Sequence, residues 1–84
     1  MAITAVEPSE AVKELDTLIA KLEDLREFVV KSRRDAILTG DDKEKAIDYV
    51  KEAQAAIRAI DEAIADEKAA KASLYTYDLA AMVG

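Results

Sequence analysis

Between Pro8 and Gly84 the chain contains one helix breaker, Gly40, within Thr39-Gly40-Asp41-Asp42. Proline and glycine are the strongest local interruptions a polypeptide has. Their absence elsewhere leaves two long stretches free to be helical throughout, and the hydrophobic pattern uses that freedom. Ala11, Leu15, Leu18, Leu22, Leu25 and Val29 follow alternating four- and three-residue steps, with Val12 and Ile19 widening the stripe on one flank. Past the break, Ala46, Val50, Ala53, Ile57, Ile60 and Ile64 repeat the pattern, with Ile47 beside them. Such a heptad-like seam with a broadened face belongs to helices that pack side by side.

Local signals place the ends. Ser9 can cap the first helix, or Pro8 can occupy its first turn, where a missing N–H costs nothing. Gly40 suits the left-handed position that ends a helix. Asp41 or Asp42 then caps the next one, and Asp41 with Glu44 has capping-box spacing. The spacing predicts an N-terminal arm over 1–8, a helix over 9–39, a tight turn and a helix over 42–72. Glu27 with Lys31 and Glu67 with Lys71 fall at the favourable i,i+4 spacing. The last segment, 73–84, is an apolar tail: a short third helix capped by Ser73 or Thr76, an extension of the second helix, or an ordered arm.

Two helices of equal length joined by a short turn must run antiparallel. The fold class expected is therefore all-α, a coiled-coil-like antiparallel two-helix hairpin in a single domain. Each stripe is wider than one neighbour can cover, and a chain of 84 residues buries little of its surface on its own. A two-fold homodimer that makes a four-helix bundle is the simplest closed solution. The residues assigned to the self-association seam are Leu15, Leu18, Leu22, Leu25, Val29, Val50, Ile57, Ile60 and Ile64. The alanine richness of the second helix, from Ala53 to Ala65, fits high helix propensity or close axial approach.

Composition then narrows function. Cysteine and histidine are both absent. That removes disulfides, thiolate nucleophiles, imidazole acid–base chemistry and the usual zinc ligands. No phosphate-binding glycine loop or nucleophile elbow is present. Carboxylates four apart at Glu10/Glu14, Glu23/Glu27, Asp48/Glu52 and Glu62/Asp66 share helix faces. None interrupts the seam where a bundle metal site would sit, so solvated surface is expected of them, with no metal and no cofactor. The net charge of −6, from 18 acidic and 12 basic residues, disfavours nucleic acid. Lys31, Arg33 and Arg34 form the one basic cluster, read mainly as complementing the C-terminal dipole of the first helix. The N-terminus lacks the charged region and apolar run of a secretory signal. No stretch approaches the roughly 20 apolar residues of a membrane span. A cytoplasmic chain without membrane contact is the expectation.

What remains is a non-enzymatic protein–protein interaction module: an adaptor, inhibitor or assembly factor built on a homo-oligomer. The alternatives are a small structural subunit of a larger assembly such as a virion, and a nucleic-acid-binding hairpin dimer. A partner site for a larger protein is expected at the end carrying both termini, on Leu74, Tyr75, Tyr77, Leu79 and Met82, since tyrosine is enriched where partners bury a surface. Tyr49 is assigned to boundary packing, and the turn around Gly40 is read as polar and charged.

Overall fold

The computed structural model describes the backbone of residues 10–83 and the side-chain environments of residues 10–74. The N-terminal arm, with the Pro8-Ser9 start signal, lies outside the described residues. The side chains of Tyr75, Tyr77, Leu79 and Met82 do so as well. Helix α1 runs over Glu10–Thr39 and helix α2 over Lys43–Val83, and the two pack against each other as a hairpin. The rod measures 65 × 15 × 12 Å. Among the described residues, no helix is long and apolar enough to cross a membrane.

The two helices are not equal. Helix α1 has 30 residues and α2 has 41, because α2 continues through the segment expected to be a separate tail. Ser73 and Thr76 do not restart a helix there. Both can sit inside one at small cost, and no glycine or proline intervenes before Gly84. Of the three alternatives for the tail, the backbone adopts the continuous extension.

The turn is built differently from the left-handed closure expected of Gly40. No glycine has positive φ among the described residues. Instead, the Gly40 N–H donates to the Ala36 carbonyl at 3.0 Å, one step past the end of α1. A Cβ on Gly40 would lie 2.6 Å from that same oxygen, so it is close approach rather than dihedral freedom that favours glycine here. Asp42 is the cap of α2: its Oδ1 accepts from the N–H groups of Glu44 at 3.0 Å and Lys45 at 3.2 Å. The capping-box reading of Asp41 and Glu44 therefore does not hold. The residue three past the cap is Lys45, which has no acceptor to return the bond.

Four contacts fix how the helices align. Arg26 meets Asp61, Arg33 meets Gln54 and Lys71 meets Asp16, while a Gly40 Cβ would touch that of Ala46. All four belong to one antiparallel register. It places Val12, Leu15, Ile19, Leu22, Arg26, Val29, Arg33 and Ala36 along the inner line of α1. Ala46, Val50, Ala53, Ile57, Ile60, Ile64, Glu67, Lys71 and Leu74 form the inner line of α2. Both lines are unbroken heptad seams in the a and d positions. The buried residues lie on them: Val12, Ile19, Ala53 and Ile57. Burying a valine or isoleucine stabilises by about 1.5–3 kcal/mol, so this narrow line is the core.

The phase of α1 thus differs by one position from the expected stripe. Val12 and Ile19, expected on its flank, are buried, whereas Leu18 and Leu25 are 42% and 53% exposed. Leu15, Leu22 and Val29 remain half-buried on the inner line, as do Val50, Ile60 and Ile64 on α2. Ile47 and Tyr49 are exposed.

Candidate interaction surface

An antiparallel hairpin has two flanks, one lined by the e positions of both helices and the other by the g positions. Their chemistry here is unlike. On the e flank lie three polar links between the helices. Arg26 forms a two-pronged bond to Asp61, with Nε 2.6 Å from Oδ1 and Nη2 3.3 Å from Oδ2. One heptad toward the turn, Arg33 Nη1 donates to Gln54 Oε1. Toward the other end, Lys71 Nζ pairs with Asp16 Oδ1. Each link joins a residue on the inner line of one helix to an e residue of the other. The hydrogen bond and charge of Asp61 raise the Arg26 pKa above its ordinary value. An open groove on this flank is bordered by Arg26, Gln54, Arg58, Asp61 and Glu62. Its rim is charged, and it encloses no buried polar group among the described residues.

On the g flank, α1 places Ala11, Leu18, Leu25, Ser32 and Thr39, and α2 places Tyr49, Ala56, Ala63 and Ala70. None of these carries a charge. Between Leu18 and Phe28 the large residues sit on α1, with Phe28 just outside the flank at 68% exposed, and α2 offers alanines there; Tyr49, near the turn, is the large residue on the α2 side. The flank is a leucine ridge beside an alanine trough.

A second apolar group lies at the turn. Ile37, Leu38, Ile47 and Tyr49 are exposed there, Leu38 at 83%. The turn end was expected to be polar, and this corrects it. The Ala36-Ile37-Leu38 triplet resumes an apolar run, yet only Ala36 lies on the inner line, so the other two are left outside. Tyr49 borders a shallow depression with Ala36, Thr39, Asp42 and Ala46.

The basic cluster does not act as one. Lys31 pairs with Glu27 within α1 at 3.1 Å, as the i,i+4 spacing predicts. Arg33 turns inward to Gln54, and Arg34 is exposed on a different face. None of the three lies in the last turn of α1, which has no basic residue. Lys71, expected at i,i+4 from Glu67, links to Asp16 across the hairpin. The carboxylate pairs four apart are exposed throughout, and among the described residues no three acids converge on a point.

Of the expected partner set at the end carrying both termini, Leu74 is half-buried at the level of Val12, which is 1% exposed. Tyr75, Tyr77, Leu79 and Met82 occupy the last turns of α2. No protein-family model matches the chain, and no curated protein or solved structure matches it either.

Proposed function

We propose that the chain is a non-enzymatic protein–protein interaction module that self-associates and offers its ends to a larger partner. The observation that carries this reading is the uncharged g flank, on which Leu18 and Leu25 stand exposed, with Phe28 at its edge, beside the hairpin's narrow core. Contiguous exposed apolar surface of this kind marks association sites rather than chance. The e flank supports the reading from the other side, because its polar links bind the hairpin internally. Pairing two g flanks would convert two half-covered hairpins into a four-helix bundle with a shared apolar centre.

A second reading, a structural subunit of a larger assembly such as a virion, is favoured by one observation: α2 runs 11 residues longer than α1. The last turns of α2 pass the level of Glu10 and carry Leu79 and Met82, with Leu74, Tyr75 and Tyr77 just before them, and they offer a helix to a neighbour in an array. A nucleic-acid partner is opposed by the net charge of −6 and by the dispersal of Lys31, Arg33 and Arg34.

The test is molar mass by light scattering across a wide concentration range, for the native chain and for Leu25→Asp. The expected result is a native mass of at least twice the 9.2 kDa chain. Leu25→Asp should keep its helical circular dichroism and fall to the monomer mass. A native protein that stays monomeric at all concentrations would remove self-association from the proposal.

A further inference from the structure

The two flanks also bear on the symmetry of that association, and the inference below rests on the self-association just proposed. We propose that two copies dimerise through their g flanks about a two-fold axis parallel to the rod. Helix α1 of one copy then lies against α2 of the other, and both turns sit at the same end.

Two facing flanks can be related by only two in-plane axes. An axis across the rod sets α1 against α1 of the partner, ridge on ridge. The leucines would then hold the bundle apart along α2, leaving alanine opposite alanine across a gap. Loss of that packing is costly, because a void forfeits the contacts of its lining. An axis along the rod instead sets ridge into trough. It also leaves no freedom to slide, since a closed two-fold about that axis keeps every residue at its own height. The heights are therefore those of the register within the hairpin. Leu25 falls within about 3 Å of the height of Ala63 of the partner subunit, Leu18 within about 3 Å of the partner's Ala70, and Phe28 within about 1.5 Å of the partner's Ala59. Each large side chain meets a small one.

Charge at the margin and area agree with this. Lys21, just outside the ridge, comes level with Asp66 of the partner subunit. Asp35 comes level with the partner's Glu52, a like-charge pairing along the margin that opposes the arrangement. Over the 30 residues of α1, about 45 Å at 1.5 Å per residue, a rod 15 Å wide offers roughly 700 Å² per copy. A standard specific interface needs about 800 Å² per partner. The consequence is functional: the two α2 extensions emerge together at one end, so a partner would meet them as a pair.

The absence of cysteine makes the test clean. Phe28→Cys and Ala59→Cys are prepared as separate proteins; both positions are exposed in the hairpin, and circular dichroism checks that each still folds. The two are mixed in equal amounts, oxidised and analysed by mass. A dominant mixed disulfide between the two variants is expected. Leu18→Cys with Ala70→Cys should behave alike, and Glu52→Lys should shift the monomer–dimer midpoint to lower concentration. Self-linked Phe28→Cys in a dimer would overturn this axis while leaving self-association intact. A monomeric native chain would overturn both.

Discussion

At the residue scale the turn shows most directly what single groups do. The side chain of Asp42 satisfies two of the N–H groups that open α2, those of Glu44 and Lys45. Without it they are left to solvent at a helix start already bearing the positive end of the dipole. Asp42→Ala should lower unfolding free energy by about 0.5–2 kcal/mol. Asp41→Ala, which touches no such group, should change it by under about 0.5 kcal/mol. Urea unfolding followed by circular dichroism reads both, and equal effects would return the cap to Asp41. Arg26 offers a contrast in pH. Its pKa is raised by Asp61, so whatever stability its charge contributes is fully present below the ordinary arginine value and is lost only as pH rises through the raised one. That window lies above any working pH, and the arginine side of the link does not titrate in use.

At the scale of the helices, the prediction separates the inner line from the outer surface. Ile57→Ala should cost about 2–5 kcal/mol, since it empties a buried position between two close helices. Leu38→Ala, at 83% exposed, should cost under about 0.5 kcal/mol. A comparable loss from both would mean that the apolar group at the turn is covered in solution. The inner line of α2 was legible in the sequence because every residue from Ala46 to Ile64 on it is apolar. That of α1 was not. Its period was clear, but Arg26 and Arg33 occupy inner a positions, and a reading that seeks apolar residues passes over them to Leu18 and Leu25. Leu15, Leu22, Val29 and Ala36 belong to both lines, so the phase turns on Val12, Ile19, Arg26 and Arg33 against Ala11, Leu18, Leu25 and Ser32, and the burial of Val12 and Ile19 decides it. Long basic side chains tolerate such positions because their stems lie along apolar surface while their charged ends reach out, here to Asp61 and Gln54. Arg26→Leu should therefore raise the melting temperature by a few degrees, by completing an apolar layer opposite Ile60. A fall, read by thermal circular dichroism, would show that the bond to Asp61 contributes more than the layer.

For the whole molecule, what matters is how far α2 runs relative to the described part of α1. The register gives this in levels: Leu74 stands beside Val12, and by Tyr77 the chain has reached the level of Glu10, the first described residue of α1. The sequence showed that this stretch is apolar and aromatic, but whether it would turn back was undecidable locally. Ser73 and Thr76 are equally acceptable as caps or as helix interior, and helix α2 prevails because nothing in Lys68–Ser73 interrupts its ladder. Two truncations divide the roles of packing and docking. A chain ending at Tyr75 keeps the Val12–Leu74 level, so its cooperative transition and midpoint should match those of the full protein, with only the ellipticity of the missing turns lost. A chain ending at Ala72 also loses Leu74, which is half-buried, and should be less stable by about 1–2 kcal/mol. If the chain ending at Tyr75 already loses its cooperative transition, the last turns of α2 belong to the core of the bundle. They would then hold the molecule together, and the docking surface would have to be sought on the exposed group at the turn.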